Sequence, residues 1–289
     1  MTTLVTGATG TVGRSLVEQL LQAGERVRAL TRNPAAARFP AGVDVVRGDL
    51  ADPATLTAAL DGVGRLHLFP VPQTAREVVA LAGRAGVGRI TVLSSGSVTA
   101  GLDTDYQLPV EQAVEASGLE WTHLRPGEFA ANRLALWGPS IRAERVVRWP
   151  FPDEAGMPVH EADIAAVAVV ALLRDGHAGR AYDLTGPQKL TVREQVAAIA
   201  AAIGTDIRLE TVTREDALRL LERQGGWAAV NAPFLLGYEG FSAGTEYPEL
   251  SEEELARMQP LPTVEQVTCR PARTFARWAR DRVQDFVRA

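Results

Sequence analysis

Gly7, Gly10 and Gly13 recur at three-residue intervals in Leu4-Val5-Thr6-Gly7-Ala8-Thr9-Gly10-Thr11-Val12-Gly13, between an apolar strand and an apolar-periodic helix, Val12 to Ala23. That spacing suits a phosphate. Gly7 can turn the chain sharply, Gly10 lets the backbone approach a pyrophosphate without a Cβ, and Gly13 lets the helix lie close to the strand. The helix then aims its first N–H groups at the anion. A dinucleotide is the expected ligand, with Gly7, Thr9, Gly10, Thr11, Val12, Gly13 and Arg14 as its contacts.

Cofactor choice falls at the end of the next strand, Val27 to Thr31, which runs into Arg32-Asn33-Pro34. An acidic residue there would accept from a ribose 2′-hydroxyl, whereas an arginine pairs with a 2′-phosphate. Arg32 occupies the position, with Thr31 and Asn33 beside it and Arg14 able to assist. NADP(H) is therefore expected over NAD(H). After a third strand, Val43 to Val46, Asp49 is either an adenine contact or a turn aspartate, with Leu50 beside it; Asp52 and Pro53 are expected to start a helix as N-cap and first residue. A fourth strand ends at Phe69-Pro70, on the edge where open α/β sheets bind ligands. Beyond the fifth strand, Arg89 to Leu93, lie Ser94 and Ser95. Ser95 reads as a substrate-orienting hydroxyl or as a residue that satisfies turn backbone.

These residues need a scaffold, and the alternation supplies one. Six strand–helix units from Leu4 to Arg125, with a further strand at Ala181 to Leu184, predict a Rossmann-type, doubly wound parallel sheet of the α/β class. Residues 1–132, with 157–186 returning to them, form the expected dinucleotide domain; 133–156 and 187–289 form a smaller, mainly helical lobe for substrate. Phe129 to Phe151 carries Trp137, Trp149 and Phe151, which would line an apolar pocket or build a second small core. Met157 to His160 reads as a short strand, with Asp163 capping the helix after it. Helices are expected at Val192 to Ile203, Arg214 to Arg223 and Ala272 to Arg288, a strand near Ile207 to Val212, and a loop from Gly237 to Gly244.

Composition removes several functions. Of 289 residues, 46% are hydrophobic and 22% charged, so the chain can bury a large core. A net charge of −5 and a pI near 5.5 argue against a nucleic-acid surface. One cysteine, Cys269, leaves no internal disulfide and no cysteine cluster for zinc, and His67, His123, His160 and His177 show no metal spacing. No apolar segment is long enough to span a bilayer and no basic, apolar leader precedes the first strand, so the expected compartment is the cytoplasm. The only lysine is Lys189.

Taken together, Thr6 to Gly13, Leu30-Thr31-Arg32-Asn33-Pro34, Gly48-Asp49-Leu50, Ser117 to Gly127, Phe129 with Asn132, Thr185-Gly186-Pro187 and Arg273 to Trp278 resemble the atypical short-chain dehydrogenase/reductases of the NmrA-like NAD(P)-binding group. The resemblance spans nearly the whole chain. It implies NAD(P)(H) on the glycine loop, Pro126 and Gly127 near the nicotinamide, and a smaller C-terminal lobe over the substrate cleft, with Phe129, Asn132, Trp137, Phe151 and His160 as substrate contacts. Its departures matter equally. Typical short-chain dehydrogenases use a tyrosine with a lysine four residues on, whose charge lowers the phenol's pKa. Here Tyr106 is followed at that spacing by Val110, and Gln107 stands where many relatives have a histidine or lysine ahead of Glu111.

Two functions fit. The first is an NADPH-dependent reductase of a ketone, quinone, enone or imine, its substrate an aromatic or polyketide-like small molecule, acting by direct hydride transfer with Ser95 or Tyr106 assisting. The second is a non-catalytic NADP(H)-binding sensor or regulator. Either would be a monomer or homodimer without metal, nucleic-acid or membrane partners.

Overall fold

The computed structural model describes residues 1–242, 245 and 258–287, and within them the chain forms two compact units. Residues 1–126, 161–184 and 263–270 make the first; 127–160, 185–262 and 271–289 make the second. The segments 127–132 and 157–160 thus sit with the second unit, and 263–270 with the first.

The first unit is a seven-stranded sheet, and every pairing in it is parallel. The strands are β1 (Thr2–Val5), β2 (Arg26–Thr31), β3 (Asp44–Arg47), β4 (Val63–Leu68), β5 (Arg89–Leu93), β6 (Glu120–Pro126) and β9 (Arg180–Leu184), in the order β3-β2-β1-β4-β5-β6-β9. From β1 the chain first winds outward through β2 and β3. It then returns to the other side of β1 with β4 and continues through β5, β6 and β9. The order reverses between β1 and β4, and such a switch point opens a crevice at the carboxyl ends of the strands. Burial on both faces covers Leu4 and Val5 of β1, Leu66 and Leu68 of β4, and Ile90, Val92 and Leu93 of β5, and it also takes in the polar Thr3, His67 and Thr91.

Helix α1 (Thr11–Gln22) buries Val12, Leu16, Val17 and Leu20. It packs on α8 (Glu161–Leu173), where Gln19 Nε2 donates to the Ala162 carbonyl at 2.9 Å. Two expected caps are replaced. Asp52 makes no side-chain cap bond, and Pro53–Leu56 is a short 3₁₀ turn that Thr55 closes by donating to the Asp52 carbonyl at 2.7 Å. Asp163 lies inside the first turn of α8, which already begins at Glu161. No helix among the described residues is long and apolar enough to cross a membrane.

The first core gathers Leu4, Leu30, Leu66, Ile90, Val92, Val110 and Val114. His67 lies on β4 on the face opposite Leu66 and Leu68 of that core, buried, with Nδ1 2.9 Å from Thr91 Oγ1 on β5. Burial lowers its pKa from 6.5 to about 4, so the ring is neutral at neutral pH. Between those values the unfolded chain binds a proton that the folded chain refuses. Stability is therefore complete above pH 6.5 and falls, as pH drops toward 4, by roughly 3 kcal/mol from this group. Urea unfolding across that window should show the loss, and His67→Gln should flatten that part of the profile.

The second unit has its own core, built from Trp137, Trp149, Phe275, Trp278 and Phe286 with Val192, Val196 and Ile199 of α9 (Val192–Ile203). A full capping box starts α9: Thr191 Oγ1 accepts from Glu194 N while the Glu194 carboxylate accepts from Thr191 N. Two small sheets join the unit, β7 (Val146–Trp149) parallel to β11 (Arg208–Thr211), and β8 (Ala155–Gly156) antiparallel to β10 (Leu190–Thr191). Two expectations change. Val159 contributes only a single bridge to Phe129, not a strand from Met157 to His160. The C-terminal helix is divided into Phe275–Asp281 and Val283–Val287, broken at Arg282. The expected loop holds a turn at Leu236–Gly237, while Ala243 and Gly244 lie outside the described residues.

Candidate functional site

The glycine loop has three distinct geometries. Gly7 has φ +59°, the left-handed region that glycine enters without strain, and a Cβ there would meet the Phe69 ring at 3.0 Å. At Gly13 a Cβ would lie 2.2 Å from the Gly7 carbonyl oxygen, so only glycine lets α1 close on the end of β1. Gly10 is exposed, and a Cβ there would meet only the Gly7 oxygen, at 3.2 Å, a tight contact that a small shift relieves. Gly10 is also the N-cap of α1, has no side-chain capping bond, and is followed by no acidic residue in the first turn. The first N–H groups of a twelve-residue helix are thus left for an anion. Thr6 braces the loop from below: its hydroxyl donates to the His67 carbonyl at 2.9 Å and accepts from Phe69 N at 2.7 Å. That bond joins the carboxyl ends of β1 and β4 at the switch point, and nothing in the sequence singled Thr6 out for it.

At the end of β2, Arg32 is exposed and has no ion pair or hydrogen bond among the described residues. Its neighbours are occupied. Thr31 Oγ1 accepts from Asn33 N, and Asn33 Oδ1 accepts from Ala36 N to cap the turn at Pro34–Ala36. Arg14 donates to the Thr9 and Arg38 carbonyls and lies over the Phe39 ring at 5.9 Å. Arg14 therefore anchors the segment after β2 beside the loop, which also brings Arg38 near it. Asp49 Oδ1 accepts from Ala51 N, the turn-aspartate role, and the Leu50 side chain is buried in the first core, so only its backbone can face a ligand.

On the other side of the switch point, Phe69 is 41% exposed beside Gly7, and Pro70 is buried. Ser94 is buried at the end of β5. Ser95 is the N-cap of α4 (Gly96–Thr99), its Oγ accepting from Ser97 N and Ser97 Oγ, which leaves its own hydroxyl proton to donate. Helix α5 (Gln107–Glu115) is started by Asp103, whose Oδ1 accepts from Tyr106 N and Gln107 N at 3.1 and 2.9 Å. Tyr106, just before the helix, is 45% exposed. Val110 is fully buried in the core, so it faces away from any ligand.

Glu111 is the surprise of this helix. It is buried and accepts two bonds from Arg125 of β6, at 2.9 Å to Nε and 2.5 Å to Nη2. Burial pushes its pKa up, but the hydrogen bonds and charge of Arg125 help pull it further down, and the net position is below the usual carboxylate range. It is a carboxylate at neutral pH and offers no proton. Arg125 continues to Thr99, which donates to Asp183 on β9 at 2.6 Å. Glu111, Glu115 and His123 bring ligand atoms within 4.8 Å of one another, a grouping invisible in their spacing. Glu111 is engaged by Arg125, and Glu115 lies 3.2 Å from His123 Nε2.

In the second unit, Phe129 and Asn132 are half-buried, and Phe151 packs on the edge of that unit's core with Arg214 over its ring at 6.0 Å. Trp137 is not a pocket wall. It is 2% exposed, set edge-on to Trp149 and covered by Arg133 at 4.7 Å, a core tryptophan unavailable to a substrate. His160 is buried with Nε2 3.6 Å from Asp281. Residue type alone did not single out the buried Arg133, which pairs with Glu128 and donates to Gln195 Oε1 at 2.7 Å. Burial lowers its pKa to about 10, still charged at neutral pH.

Residues 7–175 match the family model described as NAD(P)H-binding, well over half of the chain. The chain belongs to this NAD(P)H-binding family. It is 38% identical, over 98% of both chains, to a (4-alkanoyl-5-oxo-2,5-dihydrofuran-3-yl)methyl phosphate reductase of Streptomyces griseus. It is 35% identical, over 98% of both, to an NAD(P)H azoreductase of Xenophilus azovorans. Among solved structures, an NADPH-dependent quinone oxidoreductase of Escherichia coli in complex with NADPH covers 96% of this chain and is itself covered to 98%, at 26% identity and a TM-score of 0.74. Within the family the chain is an NAD(P)H-dependent oxidoreductase.

The first unit fits the family's cofactor by its own geometry. The open Gly10, the uncapped α1 N-terminus and the left-handed Gly7 make a cradle that a Cβ at Gly13 would close. Bound there, NAD(P)H supplies the hydride; the protein's part is to hold and orient it.

Proposed function

We propose that this chain is an NADPH-dependent reductase of conjugated acceptors, of which enones and quinones are the type, working by direct hydride transfer without the tyrosine–lysine pair. The observation that carries the reading is the state of α5. Val110 is buried where a lysine would be, and Glu111 is held as a carboxylate by Arg125, so neither can supply or tune a proton. A substrate reduced here must therefore accept hydride with little acid help. Conjugated acceptors do so, because the electron pair displaced by hydride spreads onto a carbonyl oxygen as an enolate or phenolate. The substrates named for two relatives, an alkanoyl oxodihydrofuran and a quinone, share that property, whereas the azo bond named for a third would carry the charge on nitrogen.

In this reading the glycine loop and α1 hold the pyrophosphate and Arg32 holds the 2′-phosphate. Thr9, Thr11 and Arg14 shape the loop, and Phe69, Pro70, Ser94, Pro126 and Gly127 border the nicotinamide half. The proton that completes the reduction comes from Ser95, whose hydroxyl hydrogen is uncommitted, from the exposed Tyr106 phenol, or from water. Phe129, Asn132 and Phe151 offer partly exposed side chains to an aromatic or polyketide-like substrate. Steady-state NADPH consumption is expected with enones and quinones and to be at least about tenfold slower with unconjugated ketones, each tenfold being about 1.4 kcal/mol of barrier. Comparable rates with simple ketones would overturn it.

A further inference from the structure

An open groove of about 330 Å³ lies in the first unit, among the last turns of α1 and α8 and the end of the short helix Thr263–Thr268. That unit forms it alone, and it is remote from the phosphate cradle. Gln22, on its wall, is the last residue of the twelve-residue helix that Gly10 caps, so the two sites are about 18 Å apart along the axis.

The floor is apolar. Ala166, Val169, Val170 and Leu173 recur on α8 at the three- and four-residue spacing of one helix face, and all four are half-buried. The other side of α8 buries Ile164, Val167, Ala168 and Ala171 completely. A helix apolar on every side is ordinarily covered on every side, and this one leaves a stripe within reach of solvent.

The rim is cationic. Arg174 and Arg270 line the groove, both are exposed, and neither guanidinium has an ion pair or hydrogen bond among the described residues. Other groups already fill the roles an arginine has at a helix end. Ala23 N, Gly24 N and Glu25 N donate to the Gln19, Leu21 and Leu20 carbonyls, Arg174 N donates to the Val170 carbonyl, and Arg89 Nη1 donates to the Leu172 and Arg174 carbonyls. Asp175, the acid next to Arg174, is held by Arg89 at 2.8 Å. Burial and the charges of Arg89, Arg174 and Arg180 together lower the His177 pKa, a sign that the positive field at this end of the sheet is not cancelled.

An apolar stripe beside two uncommitted guanidinia fits a ligand with both parts. The guanidinium fork matches a carboxylate, and the volume is at the lower end of small-molecule sites. We propose that this groove binds a small amphipathic carboxylate of the medium-chain fatty-acid type, its chain along α8 and its head at Arg174 and Arg270. The assignment is independent of the reading of the dinucleotide crevice.

The probes are octanoate, octan-1-ol and acetate, each below the concentration at which it self-associates, with binding read by calorimetry on the whole protein. Octanoate should bind, and octan-1-ol and acetate at least about tenfold more weakly, because each lacks one half of the ligand. Arg174→Gln and Arg270→Gln should each weaken octanoate about 3- to 10-fold, and the double variant should bring it to the level of octan-1-ol. NADPH consumption should be unchanged in all three variants. Equal octanoate affinity in the parent protein and the double variant would place the ligand elsewhere and overturn the site. Absence of octanoate binding by the parent would overturn it as well, and a change in sedimentation of the double variant would then show the face to be a contact between two copies of the chain.

Discussion

Gly13→Val is expected to cost more than about 4 kcal/mol of stability and to abolish dinucleotide binding, while Gly10→Ala folds and fails mainly at binding. The contrast comes from what each Cβ would meet. At Gly13 it lies 2.2 Å from the Gly7 oxygen and 2.8 Å from Ala8 Cα, both backbone atoms that can move only if α1 leaves the end of β1. Because α1 buries Val12, Leu16, Val17 and Leu20, that movement would open the first core as well. At Gly10 the nearest atom is 3.2 Å away, a tight contact that a small shift relieves. Its methyl would instead stand where the pyrophosphate must approach. Urea unfolding should therefore place Gly10→Ala within about 1 kcal/mol of the parent protein, with NADPH affinity reduced tenfold or more. Similar stabilities for the two variants would show that Gly13 is not the point of closure.

Arg32→Ala should weaken NADPH by about 10- to 100-fold and leave NADH within about twofold, the range expected when a charge-assisted, bidentate contact to a phosphate is lost. The prediction is specific to Arg32 because its neighbours are committed elsewhere. Arg14 is tied to two carbonyls and the Phe39 ring, and Asn33 caps its own turn. Raising the salt should reduce the NADPH preference of the parent protein and have little effect on the variant. Fluorescence titration of both cofactors on both proteins checks this, and equal weakening of NADPH and NADH would remove the 2′-phosphate contact.

The sheet was legible because short stretches rich in apolar and β-branched residues alternate with turn residues and helical stretches, with the glycine triplet marking the first crossover. The second unit was harder for a physical reason. Helix α11 (Gly226–Leu235) begins at a glycine pair and contains Pro233, both signals against a helix, and its apolar residues surround it without forming one face. Trp137 and Trp149 show the same limit: an aromatic side chain carries the same composition signal in a pocket wall as in a core, and only burial separates the two. Ser95 had two readings, and the structure gives it the capping one while leaving its proton available. The pairs Glu111–Arg125 and Glu128–Arg133 depend on which strand faces which helix and on how the chain turns, which residue type alone does not reveal. Gln107 stood out in the sequence as a replacement, and the structure adds that its side-chain oxygen is buried without a partner.

The central claim is that the chain moves hydride directly from NADPH to a conjugated acceptor. Incubation of the protein with NADPH dideuterated at nicotinamide C4 and an enone, followed by mass spectrometry of the product, tests it most directly. One deuterium on the carbon β to the carbonyl, with a stoichiometric yield of NADP⁺, is the predicted result. A reduced product without deuterium, or bound NADPH left unconsumed by enones and quinones alike, would contradict it.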